Sequence, residues 1–229
     1  MVDGERRILW LHSTKRVQLE NDFMLKLLSI GLLLLSAVRL MAQIAPALDA
    51  FIDPDGAFQF SYPDSYELLV GERILKATQG RNLGYPVCDF STALVCVIYP
   101  VEKLNSTKFE AAGFSVNTVL GVTAESGCRG YADRFTRPSD EHSQPSSFSI
   151  NGRIFQHVSA KRKMSGHEQS SELYRTFQRD RCYEFRVETS LSDESAAQQR
   201  VSSKLLEEAV AGSARESLRL ILSSVVFRQ

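Results

Sequence analysis

Tryptophan is almost missing from this chain of 229 residues, where Trp10 stands alone, and histidine and cysteine are held to four copies each. No cysteine pair has the C-x-x-C spacing of a zinc framework, and His167-Glu168 lacks the second histidine of H-E-x-x-H. There is no excess of either charge: 27 Lys and Arg balance 27 Asp and Glu. Binding to nucleic acid draws on a basic footprint that releases counterions, so nucleic acid is excluded as a partner. Nucleophile-elbow, phosphate-loop and dinucleotide motifs are missing too. Gly113-Phe114-Ser115-Val116 and Gly212-Ser213-Ala214-Arg215 both lack the G-x-S-x-G frame. Paired carboxylates occur, but none is placed in a cleft by sequence, which leaves glycosidase chemistry unsupported.

What the chain does have is a short apolar run inside it, Leu27 to Val38, introduced by Met24 and Lys26 and followed by Ala42, Ala45 and Ala47. A positive residue, about 7–15 apolar residues and a small-residue cleavage site make an export signal. Residues 24–47 are therefore read as a signal peptide, cut after Ala42 or Ala47. Residues 1–23 are read as a polar extension upstream of a true start at Met24. The competing reading is an uncleaved anchor from Leu27 to Leu48. It sets Arg39 and Gln43 in mid-bilayer, where an arginine costs roughly 2.5–3.5 kcal/mol. Both readings put residues 48–229 in the periplasm or outside the cell, and only the anchor touches membrane. Removing 1–42, with six basic and four acidic residues, leaves 21 and 23, a net charge near −2. About 180 residues suffice for one core.

All four cysteines, Cys88, Cys96, Cys128 and Cys182, lie downstream of the run. In an oxidising compartment they are expected as two disulfides rather than as metal ligands or a nucleophile. Three connectivities are open; the preferred one closes a short loop, Cys88–Cys96, and staples distant segments through Cys128–Cys182.

Periodicity supplies the elements. Phe58, Phe60 and Tyr62 alternate as a half-buried strand between the Asp53-Pro54-Asp55-Gly56 turn and Pro63. That turn is not an EF-hand, because Asp64 stands where the twelfth-position glutamate belongs. Leu94 to Tyr99 reads as an interior strand. Residues 109–116 fit helix or strand, with strand favoured. Asn151-Gly152 joins two strands through a type I′ turn. Leu173–Phe177 and Cys182–Thr189 form a second hairpin with a loop from Gln178 to Arg181. Its register pairs Phe177 with Cys182 and Arg175 with Glu184, and sets Tyr174, Thr176, Tyr183, Phe185 and Val187 on one core face. As an exposed cross-strand pair, Arg175 and Glu184 contribute at most about 1 kcal/mol. Residues 137–147 read as a Pro/Ser surface loop. Ser192 is expected to cap one helix and Ser213, boxed with Glu216, another. Leu218, Ile221, Leu222 and Val225 then line an apolar stripe. Strands first and helices last predict an α+β domain, an antiparallel sheet flanked by helices.

This order resembles the PsbP-like fold of extrinsic photosystem subunits and exported bacterial proteins. The residues that carry the likeness are the opening strand Gly56-Ala57-Phe58-Gln59-Phe60-Ser61-Tyr62-Pro63, the hairpins, and the closing helix Leu218 to Ser224 running into Val225-Val226-Phe227. It spans roughly residues 50–227. What it implies is a non-enzymatic binding or accessory role, with no catalytic residues to carry over and no cofactor. The expected partner is an envelope or extracellular protein. Lys161-Arg162-Lys163, the densest basic cluster, is a candidate binding surface; Asn105-Ser106-Thr107 fits a glycosylation acceptor or a cap. The rival reading is a small periplasmic hydrolase that uses His157 or His167 with a carboxylate or a metal.

Overall fold

The structure, a computed structural model, describes residues 46–74, 87–88, 92–100, 109–130, 141–164, 166–192 and 201–228, with backbone alone at 164 and 201–207. Residues 1–45, which hold the apolar run expected as an export signal and the polar stretch ahead of it, and Asn105-Ser106-Thr107 lie outside these residues. From Leu48 to Gln229 the chain forms one unit.

An eight-stranded sheet carries the domain. Its strands are β3 (Glu67–Val70), β4 (Ala93–Ile98), β5 (Phe109–Thr118), β6 (Glu141–His142), β7 (Ser146–Ile150), β8 (Arg153–Met164), β9 (His167–Gln178) and β10 (Arg181–Ser192). The order across it is β3-β4-β5-β10-β9-β8-β6, with β7 also on the outer side of β8, and every pair is antiparallel. A small sheet joins β1 (Leu48–Ile52), β2 (Phe58–Pro63) and β11 (Val226–Phe227). Among the described residues the helices include a five-residue α1 (Glu125–Arg129) and a long α2 (Val201–Ser223). The α+β class, an antiparallel sheet with helices on it, is the architecture observed.

Local chemistry explains the hairpins. Asn151 (φ 48°) and Gly152 (φ 78°) both take the positive φ of a type I′ turn. The second hairpin has the expected register, Cys182 opposite Phe177 and Glu184 opposite Arg175. Its loop is shorter than the sequence suggested: Gln178 pairs with Arg181, leaving only Arg179 and Asp180 at the bend. Residues 109–118 are strand, and Phe114, unexplained by helical spacing, is fully buried. The Asp53 carboxylate accepts the Ala57 N–H at 3.0 Å, so this aspartate holds the turn.

One expectation about helices is overturned and another is not reached. Ser192 ends β10, and the helix it was expected to cap lies outside the described residues. Ser213 and Glu216 stand inside one uninterrupted helix, α2, with no cap between them. Ala, Leu, Glu and Arg dominate around Gly212, and one exposed glycine costs only about 1 kcal/mol against alanine, too little to break a helix packed along its length. Within the tract 137–147, residues 141–142 are β6 and 146–147 open β7 rather than loop.

The main core lies where β2 and α2 cover one face of the sheet. Phe58 meets Tyr183 and Phe185 edge-on, each at 5.7 Å between ring centroids, and Phe60 meets Phe114 at 5.2 Å. Leu218, Ile221, Leu222 and Val225 are buried in the same core, as their spacing required. Two disulfides join Cys88 to Cys96 and Cys128 to Cys182, with Cα–Cα distances of 6.3 and 5.4 Å. The second fixes α1 to β10.

Candidate binding face

The sheet alternates, so the residues of β8 and β9 that face α2 follow from the register. Opposite the core residues Phe185 and Val187 of β10 stand Tyr174 and Glu172 of β9, and opposite those stand His157 and Ser159 of β8. The core row thus turns polar as it leaves the cover of β2. Glu172 is buried, and a buried carboxylate needs partners. Arg219 of α2 supplies a fork, Nη2 at 2.5 Å from one oxygen and Nε at 2.9 Å from the other. The Tyr174 hydroxyl donates to the second oxygen at 3.1 Å. Burial pushes the Glu172 pKa upward, but the Arg219 hydrogen bonds and charge outweigh it and hold the carboxyl below its usual range. Burial and the Glu172 charge push the Tyr174 hydroxyl well above its usual range.

His157 stacks on Tyr174 with ring centroids 4.5 Å apart, and its Nδ1 lies 3.3 Å from Ser146 Oγ. Its Nε2 is buried with no hydrogen-bond partner among the described residues. Burial is the main cause that lowers its pKa. A serine beside a histidine is the start of a nucleophilic triad, but the base also needs a group to orient it. Glu172, the nearby carboxylate, gives its oxygens to Arg219 and Tyr174. His167 does meet a carboxylate: Nδ1 lies 2.8 Å from Glu110 Oε1. Glu110 also accepts the Ser190 hydroxyl at 2.8 Å, so the serine bonds to the acid and not to the base. His142 is exposed on β6. Among the described residues no three His, Cys, Asp or Glu side chains gather as a metal-binding group.

A cavity of about 520 Å³ opens at the turn end of β8. Asn151, Arg153, Thr176, Phe177 and Phe227 line it, with Glu125, Cys128 and Arg129 from α1. Asn151 ties this end together, donating from Nδ2 to the Ser223 and Val225 carbonyls at 3.0 and 2.8 Å, just past the last turn of α2. The Arg153 guanidinium sits 5.0 Å from the centroid of the Phe227 ring. It has no ion pair among the described residues, whereas Arg129 pairs with Glu125 and Arg175 with Glu184. Among the described residues the cavity therefore offers, in Arg153, a cation with no ion pair lying against an aromatic ring.

The Arg175–Glu184 pair corrects a sequence expectation. It is not exposed: the side chains keep 5% and 2% of their accessible surface, Nε lies 2.6 Å from the carboxylate, and Arg186 reaches the other oxygen at 2.6 Å. Alternation implied a solvated second face, but that face is covered as well. Arg175 also donates from Nη1 to the Gly130 carbonyl at 2.9 Å.

The basic cluster is divided by the same alternation. Lys161 and Lys163 share one face of β8 while Arg162 takes the other. Lys161 lines a groove of about 380 Å³ with Glu141, Ser170 and Arg215. Lys163 stands 3.7 Å from Glu168. Arg153, Glu172 and Arg219 escaped the sequence reading. Glu172 had a signal, since the hairpin register sets it on the core face with Tyr174, where a charge demands a partner. Arg219, 47 residues away, had none.

No protein family matches the chain, and no curated protein matches it in sequence. Solved structures do resemble it. Mycobacterium tuberculosis LpqN, involved in cell envelope biogenesis, aligns over 80% of this chain and 91% of its own at 9% identity and a TM-score of 0.46. The Saccharomyces cerevisiae Ran-binding protein Mog1p aligns over 80% and 96%, at 13% identity and a TM-score of 0.41. A Bacteroides thetaiotaomicron protein aligns over 79% of this chain but only 48% of its own, at 10% identity and a TM-score of 0.37. The chain is similar to these proteins in the arrangement of its strands and helix.

Proposed function

We propose that residues 48–229 form an exported, non-catalytic binding domain of PsbP-like type that acts in the periplasm or outside the cell on an envelope or extracellular protein. The observation that carries the binding role is the cavity at the turn end of β8, where Arg153 lies over Phe227 with no ion pair among the described residues, the Glu125 carboxylate of the same lining being taken by Arg129. A partner with an acidic group and an apolar side chain complements that lining, and Lys161 and Lys163 extend the contact along β8. Export is supported by the apolar run and by two formed cysteine pairs, with no free cysteine among the described residues. The PsbP-like assignment rests on the opening strand and closing helix that carried the resemblance. Against hydrolysis stands the state of two histidines: among the described residues His157 has no carboxylate hydrogen-bonded to its ring, and the Glu110 beside His167 is shared with Ser190.

The test uses the purified protein and a variant with His142, His157 and His167 all replaced by alanine. Capture of one defined partner from the native envelope fraction, equal for both proteins, is the expected result. An ester- or amide-hydrolysing activity that the triple variant loses would overturn the reading.

A further inference from the structure

Among the described residues the outer side of β7 is an open sheet edge. In a two-residue hairpin the residues flanking the turn exchange both backbone bonds, and hydrogen-bonded pairs then alternate with non-bonded ones. Ile150 opposite Arg153 is the flanking pair. Ile150, Phe148 and Ser146 therefore spend their N–H and C=O groups on β8, while Ser147 and Ser149 point theirs away from it. No backbone bond reaches those two serines among the described residues. Ser146 to Ser149 are all exposed. The strand carries no charge and no proline, and its register with β8 has no bulge, so the usual defences of an edge are missing.

We propose that this edge pairs with β7 of a second copy of the chain, which continues the sheet across a two-fold axis at Phe148. The strand is self-complementary about that residue. Ser147-Phe148-Ser149 reads the same in both directions, so Ser147 of one copy falls opposite Ser149 of the other, and the reverse. Those are the positions with free backbone groups, and each pair closes two hydrogen bonds. Phe148 then meets its own copy as a non-bonded cross-strand pair, Cα atoms about 4.5 Å apart, the closest approach an antiparallel sheet offers. In one copy this ring leans edge-on against Tyr174 at 5.8 Å and stays 50% exposed. Pairing covers it. Uncharged serines on both sides add no repulsion. This inference stands apart from the binding reading, because neither Ser147 nor Ser149 lines the Arg153 cavity.

Sedimentation equilibrium of the full chain with its disulfides intact tests it, between roughly 10 µM and 1 mM, where so small an interface should dissociate. The wild type is expected to form a dimer. Ser149→Pro removes an outward N–H without touching the β8 ladder, and should weaken the dimer at least about tenfold with unchanged melting. F148E and F148K should each be monomeric, and a one-to-one mixture of the two should associate again. A wild type that stays monomeric throughout would overturn the proposal, as would dimers that survive both Ser149→Pro and F148E.

Discussion

Arg175, Glu184 and Arg186 show how much one residue's surroundings decide. On an open surface the cross-strand pair would contribute at most about 1 kcal/mol. Buried, its removal is expensive, since the partner left behind has lost its solvent. Arg175→Met is expected to cost about 3–5 kcal/mol in urea unfolding. Arg186 softens the loss by keeping its bond to Glu184. Replacing Arg175 and Glu184 together by apolar residues should recover part of that cost, and recovery of none would refute the account of the pair.

The first face has its own acid dependence. The His157 pKa is lowered on folding, so between its folded value and about 6.5 the unfolded chain binds more protons, and stability is lost as the pH is lowered through that window. Glu172 is also depressed: its contribution is full above its unfolded pKa and is lost as pH falls through the folded one. The two effects act in sequence on acidification, His157 first. Glu172, Tyr174 and Ser146 face the ring from the sheet, and Arg219 from α2. Substituting His157→Gln should flatten the stability profile in the mildly acidic window and leave the steeper fall at lower pH. An unchanged profile would show that His157 does not titrate with folding.

At the scale of elements, the Asn-Gly turn does two jobs. It sets the β7–β8 register, and Asn151 ties that turn to the end of α2. Asn151→Ala loses an easy left-handed residue and two hydrogen bonds, for an expected cost of about 1–3 kcal/mol by thermal or urea unfolding. Helix α2 offers the opposite sign. Gly212 is exposed in mid-helix, and a Cβ there meets nothing within 4 Å. Gly212→Ala should stabilise by about 0.5–1 kcal/mol; destabilisation would mean that α2 is broken at this point.

These elements also show what was legible in advance. The hairpin registers could be read because turn residues and alternation are local signals. Tyr174, Tyr183, Phe185 and Val187 were therefore placed on the core face from sequence alone. The small sheet was not legible: β11 is two residues long, and it pairs with a strand that began 168 positions earlier. The burial of Arg175 was hidden for a different reason. Alternation tells which residues share a face, never whether something covers it. The Arg153 cavity depends on Phe227 and α1 arriving at the same strand end, which no local pattern encodes.

For the whole molecule, the cysteine pairs set the balance. Cys128 and Cys182 lie 54 residues apart, Cys88 and Cys96 eight. In the chain-entropy picture the longer closure contributes about 4 kcal/mol and the shorter about 2.5. Replacing Cys128 and Cys182 by serine should therefore lower stability more than replacing Cys88 and Cys96, in side-by-side urea titrations. The reverse order would show that the long staple does not set the global stability.

The central claim is that this domain works by binding, through the cation over Phe227 at the turn end of β8. Its most direct test is quantitative capture from the native envelope fraction, comparing the wild type with Arg153→Glu and Arg153→Lys. Arg153 sits at the surface end of its strand, so both variants should keep the wild-type melting temperature within a few degrees. The account predicts that Arg153→Glu loses the captured partner and that Arg153→Lys retains it in part. Undiminished capture by a folded Arg153→Glu protein would contradict it.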